Sequence, residues 1–354
     1  MALTRRDFIH AAATTGAAAL SNAPARAADG VEELYRAAKA DGKIVLYAGG
    51  PIAPYRNDAA AFSKVFPDIE FDIVTGFSNQ ISPRIDAQIA AGTMEADIAI
   101  LQTIQDFERW KQRDGLTVYR APEWGAVERK FKDPDGTSVG VRVLAIAYCY
   151  NVEQVPPDKV PKSALDFLDP QFRGRIISTY PHDDDITLYL YHTIISKYGW
   201  DYMTRLMANE PQFVRGHLGV AQAVASGTAA VSFDATAGTT LTAKRNGGRI
   251  DLAFPSEDRI PIWENRCAIF AGAPHASAAR LFQAWLLSRE YQQAFAPGFW
   301  PTRADVAPTG GLKPIGQYAT SDQFREFILN TDLVTGLRER LASIIGPVKG
   351  NPVL

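Results

Sequence analysis

From about residue 31 the chain switches repeatedly between two hydrophobic spacings. Val31, Leu34, Tyr35 and Ala38 recur at i, i+3, i+4 and i+7, the stripe of an amphipathic helix, and Gly42 supplies a stop. Lys43–Tyr47 is then almost continuously apolar, as a strand covered on both faces must be. A loop, Ala48-Gly49-Gly50-Pro51, leads to a helix over residues 55–66 with Phe62 and Phe66 inward. Ile69, Phe71 and Ile73 alternate as a strand. Ser82-Pro83 reads as an N-cap followed by proline at the first helical position, with the helix ending near Gly92. Asp97–Leu101 is a third strand, and Ile104, Phe107 and Trp110 mark a helix that stops before Gly115. Three strand-loop-helix units with short connections predict a mostly parallel sheet with helices on both faces, closed by right-handed crossovers.

Residues 139–150 form a long apolar strand, and the following stretch is proline-rich, with Pro156, Pro157 and Pro161. That change in composition predicts a domain crossing at about residue 150. A second block follows: a strand at 174–179, helices at 185–197, 200–209 and 218–226, and a strand at 229–233. An extended stretch over 259–271 carries the chain back, a helix covers 276–288, and the rest reads as mostly helical. The expected fold class is α/β: two Rossmann-like lobes joined by a two-strand hinge. Lobe 1 comprises 28–150 plus 264–354, and lobe 2 comprises 151–263.

The first residues change the picture of where the chain works. Arg5 and Arg6 precede a weakly apolar stretch, Ala11–Leu20, and Ala25-Arg26-Ala27 has the small-x-small form of a cleavage site. Residues 1–27 therefore read as a twin-arginine signal peptide, leaving a mature periplasmic protein. No apolar run reaches the roughly 18–20 residues that span a bilayer, so no membrane insertion is expected. With 37 Lys+Arg against 39 Asp+Glu there is no basic surplus for nucleic acid. At 46% hydrophobic and 21% charged residues, the composition is that of a folded protein. The two cysteines, Cys149 and Cys267, allow one internal disulfide or two separately buried thiols, and neither sits in a C-x-x-C motif.

Several stretches resemble the periplasmic solute-binding proteins of ABC importers, in the ferric-iron, thiamine, polyamine and aminophosphonate branch. These are Leu34–Tyr47, Tyr148-Cys-Tyr-Asn151, Leu165–Ile176, Gly272–Phe282 and Trp300-Pro-Thr-Arg303. The resemblance covers nearly all of the mature chain. It implies the type 2 periplasmic binding fold, in which two lobes close on a solute by hinge motion. The solute would lie at the carboxyl ends of strands, where open α/β sheets leave a crevice and helix N-termini offer donors. The implied partners are a small-molecule solute and an ABC permease; the protein is expected to be a monomer with no cofactor and no metal.

Candidate ligand-binding residues follow from those strand ends. Gly49, Gly50 and Pro51 follow the first strand, where glycine permits close backbone approach. The second strand-end loop holds Phe77, and Gln102 and Thr103 end the third strand, although Thr103 also suits a helix cap. In the second lobe, Tyr180, His182, Asp183 and Asp184 lie between a strand and a helix, where Asp is also favoured by capping and by the helix dipole. Arg215 is able to clamp a carboxylate or phosphonate. Asp234 ends a lobe-2 strand, and Trp263 and Glu264 lie on the return crossing, where an aromatic face is able to stack on a cation. In the ferric branch, adjacent tyrosines bind metal at the position of Phe233 and Asp234, so tyrosinate-bound iron is not expected here.

The expected function is therefore capture of a small polar solute and its delivery to a membrane permease, without catalysis. The acidic residues lean toward an amine-bearing solute, or a zwitterion given Arg215. A ligand-sensing module for a membrane kinase is the alternative. A periplasmic hydrolase ranks last, because no H-E-x-x-H, G-x-S-x-G or P-loop pattern occurs.

Overall fold

The computed structural model describes residues 23–353. The predicted signal peptide therefore lies mostly outside the described residues. In chain order the elements begin with α1 (Ala23–Asp41), β1 (Lys43–Gly49), α2 (Ile52–Val65), β2 (Glu70–Gly76), α3 (Ser78–Ala91), β3 (Ile98–Leu101) and α4 (Ile104–Gln112). The long strand β4 (Val139–Asn151) leads to β5 (Ile177–Thr179), α5 (Asp185–Tyr198), α6 (Asp201–Ala208), β6 (Gln212–Val214), α7 (His217–Ser226), β7 (Val231–Thr236), α8 (Ala237–Arg245) and β8 (Ile250–Ala253). Then come β9 (Ile260–Ile269), α9 (Ala276–Leu286), α10 (Arg289–Gln293), β10 (Thr320–Ser321), α11 (Phe324–Leu329) and α12 (Thr331–Ile345).

The chain divides into two compact units. The first holds the chain up to Val143 with Glu264–Phe295 and Pro301–Ala307; the second holds Leu144–Trp263, Ala296–Trp300 and Pro308–Leu354. The chain passes between them within β4 and again within β9. The sequence assigned residues 308–354 to the first lobe, and the structure corrects this. Phe324, Phe327 and Ile328 of α11 are buried, with the Phe327 ring 5.1 Å from Tyr189 and 4.9 Å from His192 of α5. Arg338 of α12 pairs with Asp185 at the start of α5, and β10 pairs with Ile260 and Pro261. The passage out of the first unit also falls at Val143 rather than near residue 150.

In the first unit β1 lies between β2 and β3, parallel to both, with Gly49 beside Gly76 and Ala48 beside Ile100. The carboxyl half of β9 adds antiparallel to β3, from Ile98 beside Ile269 to Leu101 beside Arg266. Tyr47, Ile85, Leu101, Phe107 and Trp110 pack one core beneath α3 and α4. Phe62, Phe71, Phe282 and Trp285 form an aromatic cluster with ring centroids about 5–6 Å apart, largely edge to face. One element starts earlier than expected: α3 begins at Ser78, and Pro83 lies inside it. Proline there removes the backbone donor that would reach the Asn79 carbonyl, and the neighbouring Ser82 hydroxyl donates to the Ser78 carbonyl at 2.8 Å.

In the second unit β4 runs between β7 and β8, antiparallel to both. β5 pairs in parallel with β6, and a parallel bridge from Ile176 to Val231 joins β5 to β7 on its other side. Cys149, Ile177, Val220, Val224, Ala235 and Ile250 fill the core between this sheet and α7. Cys149 and Cys267 are separate buried thiols, and burial pushes both thiols up. Among the described residues no helix is long and apolar enough to cross a membrane.

Candidate functional site

Each unit has one strand flanked on both sides by strands reached in opposite directions: β1 in the first and β5 in the second. At such a switch point the loops leaving the carboxyl ends of the strands diverge and open a crevice. Most of the sequence-predicted residues lie on those two sets of loops.

In the first unit, Gly49 ends β1 directly beneath the Ser78 side chain, and a methyl group on Gly49 would collide with that hydroxyl. Gly50 has φ +97°, which disfavours any side chain, and its amide donates to the Gly76 carbonyl at 2.8 Å. The Tyr55 hydroxyl of α2 donates to the Gly49 carbonyl at 2.7 Å and ties the loop to the helix that follows. Pro51 and Phe77 occupy the N-cap positions of α2 and α3, where neither has a side-chain acceptor. Neither helix has an acidic residue in its first turn, so the positive end of each dipole is left uncompensated. Thr103 stands at the N-cap of α4, yet its hydroxyl makes no cap bond. The Ile104 and Asp106 amides instead bond to the Gln102 and Thr103 carbonyls. Among the described residues, the buried hydroxyls of Ser78 and Thr103 have no hydrogen-bond partner. Gln102 is half-buried.

The second unit's loops are organised differently. Asp184 caps α5, accepting from the Ile186 and Thr187 amides at 3.0 Å each. Asp183 forms a two-point ion pair with Arg215 at 2.7 and 3.1 Å. Asp234 is fully buried; it accepts from the Thr179 amide and hydroxyl at 2.8 Å each and from Ser178 at 2.9 Å. It also pairs with His217 Nε2 at 3.0 Å. Burial opposes charge on both partners, but their mutual attraction wins. It lifts His217 to about 9 and holds Asp234 below its ordinary range. Tyr180 is buried beside Phe213, 5.5 Å between centroids, and meets the His182 ring edge-on. Burial lowers the pKa of His182, whose backbone carbonyl accepts from Arg338.

Trp263 and Glu264 are buried at adjacent positions of β9. Glu264 bonds Arg266 at 2.5 and 3.2 Å, which also donates to Ser138 at 3.0 Å. Phe233 packs between Phe167 and Tyr191, with ring centroids 5.3 and 5.5 Å away. Thus Asp183 and Asp234 are engaged through both carboxylate oxygens, and Asp184 and Glu264 through one oxygen each. Ser78, His217, Thr179 and Thr187 were not among the predicted site residues. Ser78 carried a signal: it is the first polar side chain after a glycine-ended strand.

Residues 57–320 match the model of the bacterial extracellular solute-binding protein family, and the chain belongs to that family. Solved structures share the fold. A periplasmic binding protein P5PA has a TM-score of 0.70 at 21% identity, covering 86% of this chain and 99% of that one. AfuA from Actinobacillus pleuropneumoniae, with exogenous fructose-6-phosphate bound, has a TM-score of 0.72 at 20% identity, covering 86% and 98%. Iron-bound HitA from Pseudomonas aeruginosa has a TM-score of 0.67 at 18% identity, covering 84% and 99%. No curated protein matches the chain. The protein is thus a solute-binding protein with the type 2 periplasmic binding fold.

Proposed function

We propose that this protein is the periplasmic receptor of an ABC import system: it captures a small polar solute on its strand-end loops and delivers it to a membrane permease. Residues 1–27 direct export by the twin-arginine route, and the mature protein acts as a monomer without cofactor or metal. Family membership supports capture in general. The observation that carries the site is the first unit's switch point, where β1 ends in Gly49-Gly50-Pro51 beside two helix N-termini without side-chain caps. Gly49, Gly50, Pro51, Phe77, Gln102 and Thr103 are its contact residues. In the second unit, Tyr180, His182 and Arg215 border the corresponding loops, and Asp183, Asp184 and Asp234 hold those loops in shape.

The reading excludes chemistry at the second unit's acid-histidine pair. His217 Nε2 bonds Asp234, and the Thr187 hydroxyl lies 3.3 Å from the same nitrogen. A hydrolytic relay needs the carboxylate and the hydroxyl on opposite nitrogens of the ring.

A thermal-shift screen of the mature protein against a metabolite collection tests capture, because any ligand of the folded state raises Tm by mass action. Deletion of the gene should abolish uptake of the stabilising compound. Arg5→Lys with Arg6→Lys should retain the precursor in the cytoplasm. A stabilising compound that the protein converts to product would replace the receptor reading with an enzymatic one.

A further inference from the structure

We propose that Arg142 is a positioning residue: from β4 it fixes α2 through Asp58, and α2 in turn fixes the Gly49–Gly50 peptide through Tyr55, so that this loop meets the solute in one geometry. The inference rests on the capture reading and adds the part of the first unit that holds its leading loop in shape.

A peptide between two glycines turns over with little steric resistance, because neither residue carries a β-carbon. Here it is pinned from both sides. Its carbonyl, that of Gly49, accepts from the Tyr55 hydroxyl at 2.7 Å, and its amide, that of Gly50, donates to the Gly76 carbonyl at 2.8 Å. Burial pushes the Tyr55 phenol up to about 12, so the hydroxyl keeps the proton it donates. Tyr55 lies in the first turn of α2, whose N-cap, Pro51, offers no side-chain acceptor. Where α2 stands therefore decides how the Gly49 carbonyl points.

α2 is held in turn by a buried cation. Arg142 is the sole charged residue in the sequence of β4, and it is 5% exposed. Its guanidinium pairs with Asp58, one turn on from Tyr55 in α2, and donates to the Tyr291 hydroxyl of α10 at 3.1 Å. It also lies 5.6 Å from the centre of the Tyr55 ring. Three elements thus meet at one side chain. A well-packed apolar pair would hold them about as stably, because both ions lose water on burial. What the ion pair adds is direction: a planar fork of donors fits its carboxylate in few orientations. Arg142 also stands one residue before Val143, where the chain leaves the first unit. The strand that leads out of the unit and the loop that meets the solute share one anchor.

Hydrogen exchange of the Gly50 amide in the solute-free mature protein reads this geometry, with deuterated water as the probe. Tyr55→Phe should raise that exchange about ten-fold, the loss of one hydrogen bond, while amides within β1 keep their protection. Arg142→Met should raise it as well and lower Tm, because it leaves Asp58 without its cation. Joining Asp58→Leu to Arg142→Met should restore Tm but not the exchange, whereas a purely structural role restores both. Tyr55→Phe and the double variant should each bind about ten-fold more weakly the compound that most stabilises the wild type in the metabolite collection. Unchanged exchange in Tyr55→Phe would overturn the tie to the loop. Recovery of both Tm and exchange in the double variant would overturn the positioning role of Arg142. Raised exchange with unchanged affinity would overturn the loop's part in binding and leave capture standing. A collection in which nothing stabilises the wild type would overturn capture itself, and exchange would still decide the positioning.

Discussion

The loops at the carboxyl ends of β1–β3 and those at the ends of β5–β7 occupy equivalent places in their two sheets, yet they solve opposite problems. The second set satisfies its charged groups internally, although both ring nitrogens of His182 have no hydrogen-bond partner among the described residues and α7 starts after Gly216 without a side-chain cap. Asp184 caps α5, Thr236 caps α8 by accepting from the Thr239 amide, Asp183 holds Arg215, and Asp234 gathers amide, hydroxyl and imidazole donors. The first set leaves the Ser78 and Thr103 hydroxyls without partners and three helices, α2, α3 and α4, without side-chain caps. The difference teaches that charge at a strand end is a poor guide to binding. A buried carboxylate demands donors, and the fold itself supplies them. A neutral hydroxyl survives unpaired at lower cost.

Substitutions should separate the two sets by size of effect. Asp234→Asn should cost the most, about 3–5 kcal/mol in chemical denaturation, because it strands a buried imidazolium. Adding His217→Gln should recover part of that loss, and a double substitution merely as bad as the sum would contradict the pairing. The pH dependence should follow from the same pair. His217 is raised above its unfolded value of 6.5 to about 9 by Asp234, with Asp184 also facing it. Its contribution is therefore complete below pH 6.5 and lost as pH rises to 9. It amounts to on the order of 3 kcal/mol. Asp234 is lowered, so its part is lost only in acid, below the ordinary range of Asp. Wild-type stability should thus fall between pH 6.5 and 9, and His217→Gln should flatten that slope. Asp184→Ala, which uncaps α5, should cost about 1 kcal/mol. A double-mutant cycle on Arg215 and Asp183, each about one-fifth exposed, should return no more than about 1 kcal/mol after solvent screening. At the bottom of the scale, Thr103→Val in the first set should cost nothing in the ligand-free protein, the reverse of an ordinary cap deletion.

The alternation of strand and helix was legible because periodicity records burial. β1, β3 and β4 are largely apolar on both faces and buried along most of their length, β9 is buried throughout although it carries Glu264, Asn265 and Arg266, and Gly92 ends α3 in the left-handed conformation. Short or mixed elements were not legible: β6 and β8 have three and four residues, too few to establish a period. Ser82-Pro83 carried a start signal, but the helix begins a turn earlier, at Ser78, with Pro83 inside it. For α11 and α12 an apolar face announced burial and not against what; Tyr189 and His192 decided that. At the site, the sequence located the loops because they follow strands. The internal partners of Asp183 and Asp234, which are Arg215, Thr179, Thr187 and His217, were not legible, because they come from other elements that no local pattern links.

The pairing of β3 with β9 joins Ile98 to Ile269. During synthesis, β3 must wait as an open sheet edge while the whole of the intervening chain emerges, and such edges recruit other strands. Contacts so distant in sequence also close slowly. A ribosome paused before residue 264 would hold a nascent chain with that edge uncovered, so aggregation of truncated products, and their rescue by chaperones, should rise sharply for stops before β9 and fall once it is complete.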